Sequence, residues 1–326
     1  MEQAVKRSRK NRWFIAGGIL VASLLAVILA GTSSSGGTTE EAELEPERKE
    51  YYVIYSLDIP EHLTFCGEPV PLDLFDVRES LDKELLSNTY FHSQTIRLIK
   101  LCNRHFPVIE PILREQGVPE DFKYLAVIES GLDNVVSPAN AVGVWQLTRG
   151  TARDYGLEVN AEVDERYHLE KATKAACSYL LESYEKYGNW TMSAASYNAG
   201  RRGMDRQIER QKQDVYYDLL LNDETARYMF RILAFKMIYE DPSAYGFQIP
   251  EKDLYQPVPY RTVEVDGPVL DFADFAAEEG TNYKMLKFLN PWLRDNTLVN
   301  SERQTYVIKI PRKGYRRPDS WEGMNE

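Results

Sequence analysis

The chain is poor in the residues that hold metals or staple secreted domains. It has three cysteines and four histidines in 326 residues. Cys66, Cys102 and Cys177 show no metal-ligand spacing, and their odd number allows at most one internal disulfide. All three read as small buried hydrophobes. The histidines are scattered, so no metal site and no cofactor are expected. Basic residues are also scarce beyond the amino terminus. Residues 1–30 hold five Lys/Arg and one Glu, which leaves 34 basic against 49 acidic residues in the rest. Such an acidic body argues against nucleic acid and anionic lipid as its partners. Between residues 72 and 240 no alternating β segment occurs, so this stretch reads as an all-helical domain.

Lys6, Arg7, Arg9, Lys10 and Arg12 precede an uncharged run from Trp13 to Ala30. A basic flank before an apolar run of this length marks a membrane anchor or an export signal. Ile28 stands where a cleavage site wants a small residue, so residues 1–30 read as an uncleaved anchor in preference to a cleaved signal peptide. No cysteine near Gly31 is available for lipid attachment. Residues 31–60 open with small, polar and acidic residues and read as a tether.

Apolar residues then recur at helical steps: Leu74, Val77, Leu81 and Leu85, later Ile96, Ile99 and Leu101, with Pro107 and Pro111 expected to bend or interrupt the next segment. The stretch V-P-E-D-F-K-Y-L-A-V-I-E-S-G (118–131) predicts a helix from Pro119, with Glu120 and Asp121 at its positive end and Gly131 as a left-handed cap. Phe122, Leu125 and Ala126 form its apolar face, and Glu129 occupies the next position of that face. A carboxyl there is desolvated and lies at the negative helix end, so its pKa should be raised, as a general acid requires. A glutamate at a helix end can equally lean into solvent or pair with a lysine; its company decides. Thr148 and Asp164 read as N-caps, Gly156, Gly188 and Gly200 as helix stops, and a further helix spans about Glu224 to Tyr239. In the tail, Y-R-T-V-E-V (260–265) and Y-V-I-K-I-P (306–311) alternate as strands around two short helices, a small separate strand–helix–helix–strand module.

Six motifs surround Glu129: E-S, Ser137-Pro138, G-V-W-Q (143–146), V-D-E-R, S-Y-N-A-G (196–200) and E-T-A-R-Y (224–228). In this order they resemble the lytic murein transglycosylases with a goose-lysozyme-like fold, most closely the membrane-bound type D branch. The resemblance implies a mainly α architecture: a lysozyme-like domain over 61–248 and a small α+β module over 255–315 that is similar to a degenerate LysM domain. It implies Glu129 as the single catalytic acid/base, and Ser130, Ser137, Gln146, Tyr197, Asn198, Glu224 and Tyr228 as substrate-binding residues, with Glu224 and Tyr228 on the cleft wall. It further implies non-hydrolytic cleavage of the bond between N-acetylmuramic acid and N-acetylglucosamine in peptidoglycan, at the periplasmic side of the cell envelope. Two other readings stand beside it: a goose-type lysozyme, and a binding scaffold without chemistry. Ser196 departs from the family's A-Y-N, a methyl-to-hydroxyl change the site should tolerate.

Overall fold

A computed structural model of the protein describes residues 54–316, so the anchor assigned to residues 13–30 and most of the tether lie outside the described residues. No helix among the described residues is long and apolar enough to cross a membrane. From Tyr55 onward the described residues pack as one unit.

The apolar steps after Leu72 become two helices, α1 (Phe75–Tyr90) and α2 (His92–Glu115). Pro107 and Pro111 do not interrupt α2. Both face solvent, where water can satisfy the carbonyls their rings leave unpaired. The site helix α3 (Phe122–Ser130) begins one turn later than expected. The amides of Phe122, Lys123 and Tyr124 bond back three residues to Pro119, Glu120 and Asp121, a tight turn in place of α-helix. Asp121, at the N-cap position, makes no side-chain bond to the helix amides, and both acids pair elsewhere. Glu120 pairs with Arg114 at 2.7 Å, and Asp121 accepts from Lys236 Nζ and the Cys66 amide, each at 2.7 Å.

Four more helices complete the domain around a short one, α4 (Arg149–Asp154), which Thr148 caps by accepting from the Thr151 amide. They are α5 (Leu169–Tyr187), α6 (Trp190–Ala199), α7 (Arg201–Gln211) and α8 (Asp223–Glu240). Helix α7 was not legible, because R-R-G-M-D-R-Q-I-E-R-Q buries only Met204 and has no apolar stripe. Helix α8 packs on α1, α3 and α6, and α5 packs on α2 and α6. Trp145, Tyr124, Phe122 and Phe235 are among the largest wholly buried side chains.

A two-residue hairpin, β1 (Thr64–Phe65) with β2 (Glu68–Pro69), lies ahead of α1. Glu68 accepts from the amides of Trp190 (2.5 Å) and Thr191 (3.0 Å), capping α6 from far upstream in the chain. Lys236 of α8 donates to the Thr64 carbonyl at 3.0 Å.

The tail forms the expected strand–helix–helix–strand. Strands β3 (Tyr260–Val265) and β4 (Tyr306–Pro311) pair antiparallel from Tyr260↔Pro311 to Val265↔Tyr306, and between them lie α9 (Phe272–Glu278) and α10 (Tyr283–Leu289). The wholly buried Asn290 amide ties the end of α10 to β4, donating to Lys309 O at 2.7 Å and accepting from Lys309 N at 2.8 Å. The tail does not close its own core. Phe272, Leu286, Trp292, Ile308 and Ile310 bury together with Val142, Val163 and Tyr167 of the helical domain. All three cysteines are free thiols; Cys102 and Cys177 are buried, whereas Cys66 is half-buried.

Candidate active site

Gly131 ends α3 in the left-handed conformation (φ 65°) and leaves Glu129 half-buried in the last turn. Tyr228 of α8 is wholly buried and donates its hydroxyl hydrogen bond to Glu129 Oε1. Burial pushes the Glu129 carboxyl up to about 7, and the nearby charge of Glu224 adds to the rise; the Tyr228 hydrogen bond and the positive charge of Arg231 oppose it. The group therefore holds its proton near neutrality while keeping two partners that favour the ionised form.

The loop from Val135 to Leu147 forms the site's second side. Gly143 (φ 79°) is forced there, because a Cβ at this position would lie 2.1 Å from the Arg166 carbonyl oxygen. Ser130 donates to the Val144 carbonyl at 2.8 Å, so its hydroxyl ties α3 to the loop. Ser137 accepts from the Ala141 amide at 3.0 Å and closes a turn. Gln146 has a left-handed backbone (φ 49°), and its amide donates to the Gly143 carbonyl at 2.7 Å and to Val135 at 3.1 Å. Trp145 is wholly buried and donates to Thr173 Oγ1 at 2.8 Å.

Helix α6 supplies Tyr197, which donates to the Trp145 carbonyl at 2.7 Å and meets the Trp145 ring edge-on. Burial, and next the charge of Glu129, hold its phenol well above the usual range. Asn198 accepts from Thr225 Oγ1 at 2.8 Å and donates to the exposed Glu224 at 3.3 Å. Of the eight residues singled out in the sequence, the fold thus joins Glu129 directly to Tyr228, Asn198 to Glu224, and Ser130, Ser137, Gln146 and Tyr197 to the 135–147 loop. Tyr228 stands behind Glu129 and not on the open wall, since only 1 % of it is exposed.

A cleft of about 720 Å³ runs past Ile128 and Ser130 and is lined by Phe91, Gln94, Leu98, Glu224, Arg227 and Arg231. Sequence reasoning missed three of its features: the charge of Arg231 acting on Glu129, Arg227 paired at 2.6 Å with the buried Glu84, and the exposed ring of Phe91 in its lining. The signal for Arg231 was present, because Glu224, Tyr228 and Arg231 follow four- and three-residue steps along one face of α8. Among the described residues no three His, Cys, Asp or Glu side chains converge as metal ligands.

Residues 106–219 match the family described as the transglycosylase SLT domain. Residues 261–314 match the soluble lytic transglycosylase C-terminal LysM-like domain. The chain carries an SLT domain followed by a LysM-like domain. The SLT match contains Glu129, Ser130, Ser137, Gln146, Tyr197 and Asn198, whereas Glu224 and Tyr228 lie just beyond it. The chain is 28% identical over 258 residues to the membrane-bound lytic murein transglycosylase D of Escherichia coli strain K12, and to that of strain O6:H1. These alignments cover 76% of this chain and 55% of each relative, so the chain spans about half the length of the curated relatives it matches. An inactive mutant of the lytic transglycosylase Slt from Pseudomonas aeruginosa is 21% identical, with a TM-score of 0.36 over 47% of this chain and 26% of that one.

Proposed function

We propose that the protein is a peptidoglycan lytic transglycosylase in which Glu129 is both acid and base. The observation that carries this reading is a carboxyl held near pKa 7 by burial, with a buried phenol bonded to it and its chain neighbours Ile128 and Ser130 lining a cleft. Glu129 protonates the glycosidic oxygen between N-acetylmuramic acid and N-acetylglucosamine, and the C1–O bond breaks. The muramoyl N-acetyl oxygen stabilises C1. The Tyr228 hydroxyl and the Arg231 charge then support the ionised carboxylate, which takes the proton from the sugar's own 6-hydroxyl as that oxygen bonds to C1. No water is consumed. Tethering the nucleophile in the substrate replaces a bimolecular attack, an advantage of ~7–11 kcal/mol when the geometry is good. Ser130, Ser137, Gln146, Tyr197 and Asn198 shape the substrate-facing wall, and Glu224 borders it as a cleft carboxylate. The functional segments are 61–248 for catalysis and 255–315 for glycan attachment.

Purified wall digested with the protein should release anhydro-muropeptides, each one water lighter by mass spectrometry than its lysozyme counterpart. Reducing muramic ends as the main product would instead make the protein a goose-type lysozyme, hydrolysing the same bond with water. An undigested wall that still binds protein would leave only a scaffold.

For location, the relatives' membrane-bound names and the Trp13–Ala30 run support a periplasmic enzyme held on the inner membrane by residues 13–30. The mature protein should stay with membranes through carbonate extraction, and an amino terminus sequenced near Gly31 would overturn the anchor.

A further inference from the structure

The 140–147 loop is buried from two sides at once. Val144, Trp145 and Leu147 belong to the helical core, whereas Val142 belongs to the core of the tail. The segment 162–164 makes the second link. The Arg294 amide donates to the Glu162 carbonyl at 2.7 Å and the Asp164 amide to the Trp292 carbonyl at 2.9 Å, so that 292–294 runs beside 162–164 like a short antiparallel strand. The clamp is fastened further along. The Arg294 guanidinium lies 4.0 Å from the centre of the Tyr167 ring, and Tyr306 donates to Glu158 at 2.9 Å.

What the tail holds, Arg166 passes on. Its buried guanidinium is gripped by both Asp164 oxygens, at 2.9 and 2.7 Å. The remaining nitrogen donates to the carbonyls of Asn140 (3.0 Å) and Leu147 (3.3 Å), the two ends of the loop. The Arg166 carbonyl in turn is what Gly143 packs against. Loop and turn therefore interlock in both directions, and the turn's outer edge is paired to the tail.

We propose that the C-terminal module is a positioning element of the active site: through Val142 and through Asp164–Arg166 it fixes the loop that presents Ser137 and Gln146. This goes beyond attachment to the wall and rests on the activity proposed above. It requires the module to matter for substrates too short to touch its own surface. A one-ångström misplacement of such a loop can lower turnover by up to about a hundredfold.

The test uses the full chain and two readouts. The first is amide exchange of peptides covering 135–147. The second is kcat and KM on a soluble tetrasaccharide of alternating N-acetylglucosamine and N-acetylmuramic acid. Leu293→Ala, in the tail strand that pairs with 162–164, should speed exchange of the loop and lower kcat by roughly tenfold well below the melting temperature. Leu293→Val is the milder variant should Leu293→Ala fail to fold, and is expected to show the same changes in smaller measure. Val307→Ala, exposed on β4, should leave both readouts as in the wild type. Loop exchange at the wild-type rate in a folded Leu293 variant overturns the proposal, as does faster exchange with unchanged kcat. If the wild type leaves the tetrasaccharide uncut, the activity reading fails, and the exchange measurement still decides whether the tail holds the loop.

Discussion

Glu129→Gln should abolish release of anhydro-muropeptides, lowering the rate by roughly a thousandfold or more, because it removes the proton donor while keeping the shape. Glu224→Gln, on an exposed carboxylate that accepts a hydrogen bond from Asn198, should retain measurable turnover. In the wild type, activity should decline as pH rises through about 7, where the acid loses its proton. Stability follows the same group. Between the ordinary value of 4.5 and about 7, the unfolded chain has released a proton that the folded chain still holds. Stability therefore falls as pH rises across that window and is level above it, by an amount on the order of 3 kcal/mol. Glu129→Gln escapes this penalty, so its melting temperature should exceed that of the wild type at about pH 8 and match it at about pH 4. Equal melting temperatures at the higher pH would show that folding does not raise the carboxyl's pKa, and substantial turnover in Glu129→Gln would move the acid elsewhere.

Gly143→Ala should be the most damaging single methyl in the domain. Its φ of 79° strains any L side chain, and the new Cβ would fall 2.1 Å from the Arg166 carbonyl oxygen, which is backbone and cannot swing aside. Relief requires the loop to lift off the 164–166 turn, with Gln146 leaving the Gly143 carbonyl and Trp145 leaving its pocket. A loss of about 3 kcal/mol or more is expected, with a melting temperature lower by about 6–12 °C. Turnover on soluble glycan should fall with it, even at temperatures where circular dichroism shows the helices intact. A variant with wild-type melting and turnover would mean that the loop has room the geometry denies it.

The elements that local chemistry dictates were readable in the sequence. Thr148 and Asp164 cap where their side chains promise, Gly131 and Gly188 adopt left-handed stops, and the alternation of 260–265 and 306–311 becomes a paired ribbon. Glu129 was found the same way, as a carboxyl occupying a core position of an apolar face. What could not be read was set by partners distant in the chain. Asp121 looked like a helix-end acid until Lys236, far along the chain, claimed it. Pro107 and Pro111 looked like breaks, but tertiary packing on the opposite face of α2 carries the helix through them. Val142 lies two residues from Val144 in the same loop, and only the folded tail shows that the two are buried in different cores.

Glu68 sets the limit on how far the chain could be trimmed. It caps α6 from the β2 strand, and the neighbouring Thr64 carbonyl receives Lys236. A fragment cut to the family match at residues 106–219 would leave the first amides of the Tyr197 helix open to solvent and would lack the Tyr228 phenol altogether. The shortest stretch able to keep the Glu129 environment thus begins ahead of Thr64 and runs past the end of α8 at Glu240, well outside the borders that sequence similarity draws.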